Sequence, residues 1–161
     1  MARQTRYVVF SLDGNRFAVP LHSVRNAERA AWVTPLPGAP EVVLGVVDIG
    51  GSMAPVVDLR RRFGLPTREP RVSDHFLVVR AAGRTMALLV DQVHGVSMAA
   101  ASRITLAGEI WPGLGYADGV ARLDGEIVLI HDLARLLSLD EEQALAEAER
   151  NSRSRLGAMG G

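Results

Sequence analysis

Two stretches of this chain repeat one another, and that repetition limits the fold more than any other feature. YVVFSLDGNRFAVPLHSV (7–24) and FLVVRAAGRTMALLVDQV (76–93) align at an offset of 69, which places Gly14 on Gly83, Ala18 on Ala87 and Val24 on Val93. LGVVDIGGSMAPVVDLRRRFGL (44–65) and DGVARLDGEIVLIHDLARLLSL (118–139) align at an offset of 74, which places Gly45 on Gly119, Gly51 on Gly125, Asp58 on Asp132, Leu59 on Leu133 and Leu65 on Leu139. The offset grows by 5 residues, a short insertion in the second copy. Two copies make a duplicated domain rather than a solenoid. A copy of about 65 residues is marginal as an independent unit, so the halves are expected to share a core.

Composition narrows the function classes. Apolar residues make up 48% of the chain and charged residues 22%, the balance of a globular domain rather than a disordered one. Eighteen basic residues cancel eighteen acidic ones, which argues against nucleic acid as a partner, because phosphate binding needs a basic face. The chain has no cysteine, so disulfides, thiol catalysis and cysteine–zinc sites are excluded. Met1–Arg6 is polar and no apolar run approaches the ~20 residues of a membrane span. A soluble, cytoplasmic protein is expected.

The local pattern is mostly β. Tyr7–Leu12 and Phe17–Pro20 flank Asp13-Gly14, a hairpin signature, with Val8, Phe10 and Leu12 on one apolar face. Residues 21–30 have the composition of a helical turn, and TPLPGAP (34–40) is a constrained loop. Leu44–Ile49 and Met53–Val57 form a second hairpin around Gly50-Gly51-Ser52, and Asp58 caps a short helix closed by Gly64. Thr67–Ser73 is the inter-repeat linker. The second copy repeats the plan: hairpins turn at Ala82-Gly83 and Asp124-Gly125, residues 107–117 form an irregular loop, and Asp132 caps a helix over 132–137. The turn and cap residues are thus Gly14, Gly51, Asp58, Gly83, Gly125 and Asp132. A capping box at Ser138 and Glu141 opens a C-terminal helix that reaches about Arg150, followed by a frayed tail.

No catalytic constellation emerges. His22, His75, His94 and His131 lack metal-ligand spacing, the serines lack a G-x-S-x-G setting, and GVVDIGG lacks the G-K-S/T of a P-loop. His131-Asp132 is the most tempting pair, but Asp132 aligns with the helix-capping Asp58. The Arg60–Arg62 run is expected to be a solvated helix face. Trp32 and Trp111 lie in proline-bearing loops, where packing competes with a role as partner anchors. On residues alone the chain is a binding module, with no catalytic, cofactor or metal residues.

Four blocks, YVVFSLDGNRFAVPLHSV, TPLPGAP leading into LGVVDIGGSMAPVVDLRRRFGLP, ALLVDQVHGV and GVARLDGEIVLIHDLARLL, occur in an order and spacing that resemble the CheW-like family. That family comprises chemotaxis coupling proteins and the regulatory domain of the kinase CheA. The resemblance spans about 6–138. Without kinase or phosphotransfer segments, the chain is more similar to the stand-alone coupling protein. The resemblance implies an all-β fold of two intertwined five-stranded SH3- or OB-like barrels, with short helices and a C-terminal helix. Repeat one covers about 7–66 and repeat two about 75–138, with strands exchanged, and 139–161 is helix and tail.

It also implies a non-enzymatic, cytoplasmic adaptor without cofactors. Its partners would be the regulatory domain of a CheA-type histidine kinase and the cytoplasmic tip of a chemoreceptor, with the membrane reached only through receptors. The implied receptor-binding residues are Val24, Asn26, Gly45, Asp48, Ile49 and Gly50. Two of them depart from the family pattern. Asn26 stands where V-x-E places an acid, and Gly50 where N-L-R-G places an arginine, so an opposite-sign pair is replaced together. The competing class is a duplicated barrel for a small ligand or oligonucleotide. It fits less well, since aromatic residues are only 5% and the net charge is zero.

Overall fold

β-Branched, aromatic and leucine residues build the strands, and two-residue turns join them into hairpins. The computed structural model describes residues 4–81, 83–112 and 118–133. In chain order the strands are β1 (Gln4–Leu12), β2 (Asn15–Pro20), β3 (Val24–Arg29), β4 (Val43–Ile49), β5 (Ser52–Asp58), β6 (His75–Ala81), β7 (Arg84–Val90), β8 (Gln92–Ala100), β9 (Thr105–Leu106), β10 (Gly119–Leu123) and β11 (Glu126–Ile130). Among the described residues, the single-turn helices α1 (Leu59–Arg62) and α2 (Ala107–Ile110) follow β5 and β9.

The strands form two small barrels that exchange pieces of the two repeats. A six-stranded sheet runs β8-β1-β2-β11-β10-β9, and a five-stranded sheet runs β3-β6-β7-β5-β4. The first hairpin of repeat one therefore sits among strands of repeat two, and the first hairpin of repeat two sits among strands of repeat one. The registers carry the duplication. The parallel pair Val56↔Ala87 has Ile130↔Ala18 as its counterpart, and the isolated bridge Thr34↔Val46 has Thr105↔Val120. Bulges match as well. The register slips at Arg25 between Val24 and Asn26, and 69 residues later at His94, opposite the Val9/Phe10 step.

Three apolar clusters hold this arrangement. Val8, Phe10, Leu12, Phe17 and Val19 of one sheet meet Leu77, Val79, Met86, Leu88 and Val90 of the other in a shared central core. Tyr7, Val9, Ala18, Val128 and Ile130 fill the six-stranded barrel. Val47, Val56, Phe76, Val78 and Leu89 fill the five-stranded one. β1 is thus buried on both faces, where the sequence pattern singled out only the Val8–Phe10–Leu12 face. Burying an aromatic side chain such as Phe10 contributes roughly 1.5–3 kcal/mol.

Gly45 and Gly119, partners in the repeat, are places of close approach. A Cβ on Gly45 would collide with the Thr34 carbonyl, and one on Gly119 would lie 2.9 Å from the Thr105 carbonyl oxygen. Both glycines let the chain arriving from the previous element cross tightly over a strand.

Some expectations need correction. Residues 24–29 are not helical: only Leu21–Ser23 makes a 3-10 turn, and Val24–Arg29 is β3. The six-stranded sheet exceeds the expected five by the short β9, and α2 interrupts the irregular loop expected over 107–117. Of the helix expected at 132–137, only Asp132 and Leu133 are described, and the C-terminal helix lies outside the described residues.

Candidate functional site

The six residues singled out for binding fall into two groups. Val24 and Asn26 lie on β3, and Gly45, Asp48, Ile49 and Gly50 lie on β4 and its turn. β3 and β4 are the two edges of the five-stranded sheet, separated in the hydrogen-bonding order by β6, β7 and β5. The loop after β3 reaches the β4 edge, where the Thr34 N–H donates to the Val46 carbonyl and the Val46 N–H donates to the Thr34 carbonyl, each at 2.9 Å.

Their environments differ. Val24 packs against the central core, Ile49 packs against the core of its own barrel, and Gly45 is buried. Asn26, Asp48 and Gly50 are exposed. The Asn26 amide nitrogen lies 3.4 Å from Glu28 Oε2, a long contact. Asp48 Oδ1 accepts the Gly51 N–H at 2.8 Å and so braces the turn. Gly50 (φ +58°) and Gly51 (φ +88°) both occupy the left-handed region, the geometry of a two-residue hairpin turn. The position where the family pattern has arginine is therefore one where a side chain costs backbone strain.

Of the arginines at 60–62, expected as a solvated face, only Arg61 is exposed. Arg60 is 7% and Arg62 4% exposed. Asp58 Oδ1 accepts the Arg60 N–H at 3.0 Å, capping α1, while the Arg60 guanidinium donates to Asp91 Oδ2 at 2.7 Å and to the Pro66 carbonyl at 2.9 Å. Arg68 forks onto Asp74 at 2.7 and 2.9 Å and reaches Asp91 Oδ1 at 2.9 Å. The nominal linker is thereby strapped down by charge. Burial by itself pushes the Asp74 carboxyl up, but the Arg68 hydrogen bonds, the Arg71 N–H and the fields of Arg68 and Arg60 outweigh it and hold it below the usual aspartate value. Hydrogen bonding to Asp74 raises Arg68 in turn, against the opposing effect of burial. Sequence spacing gave no sign of the Arg60–Asp91, Arg68–Asp91 and Arg68–Asp74 pairs, which are 31, 23 and 6 residues apart.

Both tryptophans are exposed, Trp32 at 84% and Trp111 at 69%, so packing does not explain them. Trp32 and Val72 flank a cleft of about 660 Å³ with Val33, Pro35, Leu44 and Pro70. Leu106, Ile110 and Trp111 project around β9 and α2, and Ile127 from β11, so each barrel carries its own exposed apolar residues. The histidines serve separate ends. His131 stacks on Phe63 at 4.8 Å between ring centroids, and His94 Nε2 lies 2.9 Å from Ser11 Oγ. Among the described residues no group of histidine and acidic side chains is arranged to hold a metal, and no helix is long and apolar enough to cross a membrane.

Residues 6–141 match the family described as CheW-like domain. A chemotaxis protein CheW from Rhizobium meliloti is 28% identical over 139 residues, covering 85% of this chain and 90% of the relative. One from Bacillus subtilis is 27% identical over 104 residues, 65% of this chain and 67% of the relative. The crystal structure of the scaffolding protein TtCheW from Thermoanaerobacter tengcongensis superposes with a TM-score of 0.75 at 26% identity, covering 83% of this chain and 92% of that one.

Proposed function

The chain belongs to the CheW-like domain family, and from that membership we propose that it is a chemotaxis-type scaffold joining a chemoreceptor tip to the regulatory domain of a CheA-type histidine kinase. The observation that carries this is the family match over residues 6–141, which takes in both barrels rather than one. Two barrels in one unit suit an adaptor, since each can present a surface of its own to a different partner. The exposed apolar residues around Trp32 on one barrel and Trp111 on the other fit that use. The work is binding without chemistry, and it takes place in the cytoplasm, where a receptor tip and a soluble kinase meet.

The receptor would meet the exposed part of the β3–β4 surface: Asn26, Asp48 and Gly50, with Val24, Gly45 and Ile49 shaping the backbone beneath. Helix-in-groove recognition by apolar contacts with a polar rim is the matching mode. With Asn26 and Gly50 in place of an acid and an arginine, this surface selects a receptor that does not need that charge pair. A pull-down at low salt with the kinase's regulatory domain tests the reading. Retention of the kinase domain is expected, and its absence from the bound fraction refutes the adaptor role.

A further inference from the structure

The chain crosses between the two sheets twice within the described residues, from β2 to β3 through Leu21–Ser23 and from β7 to β8 through Asp91 alone. The repeat places His22 where Asp91 stands, so only the second crossing has a carboxylate. Asp91 Oδ2 accepts the Asp13 N–H at 2.9 Å and the Arg60 guanidinium at 2.7 Å, and Oδ1 accepts Arg68 at 2.9 Å. Its backbone N–H donates to the Ser11 carbonyl at 3.0 Å. Ser11 and Asp13 belong to the β1–β2 hairpin of the six-stranded sheet. Arg60 lies on α1, directly behind β5 of the five-stranded sheet. Arg68 lies on the segment that leads into β6, where Asp74 holds it.

One carboxylate therefore gathers groups from both barrels and from the segment between the repeats. We propose that Asp91 is a positioning residue that fixes the angle between the two barrels. The Arg60 side chain is largely shielded from water, so its bond to Asp91 is directional and weakly screened. The central core supplies cohesion, but apolar packing is non-directional, and the ionic junction adds orientation. That the fixed angle serves two binding faces rests on the adaptor reading. The angle itself does not, and it is measured without either partner.

The absence of cysteine allows specific spin labelling. Ser52→Cys and Glu126→Cys place labels at exposed, repeat-equivalent positions, one on each sheet. Pulsed dipolar spectroscopy then reads the barrel-to-barrel distance in the full chain. The expected result is one narrow distribution in the labelled parent and in Asp91→Glu, which keeps the carboxylate. Asp91→Asn and Arg60→Gln are expected to broaden it or add a second component, while Arg61→Gln, which breaks ion pairs with Glu41 and Asp58 and none with Asp91, leaves it narrow. Should Asp91→Asn not fold, Arg60→Gln carries the test. A narrow, unshifted distribution in folded Asp91→Asn or Arg60→Gln overturns the proposal, even if either melts at lower temperature, because that result leaves the junction a purely stabilising role.

Discussion

At the scale of single residues, backbone geometry decides more than side-chain chemistry. Gly45→Ala drives a methyl into a backbone carbonyl at φ +156°, and a loss of roughly 1–3 kcal/mol is expected by urea denaturation. Gly119→Ala, whose φ is not in the left-handed region, is expected to cost less. Asp58→Ala removes the cap on α1 and is expected to cost about 1 kcal/mol in the same assay. Asp74 gives a pH signature. Its pKa is lowered in the folded state, so the stabilisation is full above the unfolded aspartate pKa of about 3.9 and is lost as pH falls through the folded value. The stability gap between the parent and Asp74→Asn should therefore shrink below about pH 4; a gap that is constant with pH contradicts the charge assignment. Asn26→Glu with Gly50→Arg restores the charge pair and should raise affinity for a conventional receptor tip in a binding titration, at a strain cost of about 1–2 kcal/mol at Gly50. Unchanged affinity places the receptor surface elsewhere. The turn glycines and the Asp58 cap were legible in the sequence because local geometry alone demands them. The burial of Arg60 was not, because its partners are brought together only by the fold.

At the scale of elements, hairpins were readable and lone strands were not. β1–β2, β4–β5, β6–β7 and β10–β11 each combine apolar strand formers with a glycine turn. β3 reads VRNAER, with no alternation, mostly exposed residues and a bulge at Arg25, so nothing in its pattern separates it from a helical turn. β8 is an edge strand of similar character, and only the repeat pairs it with β3. The exposure of Trp32 and Trp111 was equally hidden, because a tryptophan in a proline-bearing loop has the same local sequence whether it packs inward or faces a partner. β1 faces two cores at once, which makes it the element whose damage should spread furthest. Phe10→Ala is expected to cost roughly 3–5 kcal/mol and to lower the unfolding midpoint of both sheets together. Loss of signal from one sheet at unchanged stability of the other would show that the central core does not couple them.

At the scale of the whole molecule, duplication and exchange make one folding unit from two repeats. Neither repeat holds a complete sheet: residues 7–66 lack the four strands that surround β1 and β2, and the β6–β7 hairpin that pairs β3 and β5. Expressed alone, that fragment should show no cooperative transition, and mixing it with the other half should restore one. The same wholeness suits the proposed adaptor role, because two faces on one folding unit are held in a fixed relation. The most direct test is a reconstitution of receptor tips, a CheA-type kinase and this chain, with co-sedimentation of the kinase as the readout. The account predicts that the kinase sediments with receptors when the chain is present and stays in solution when it is left out. Equal kinase recruitment with and without the chain would contradict it.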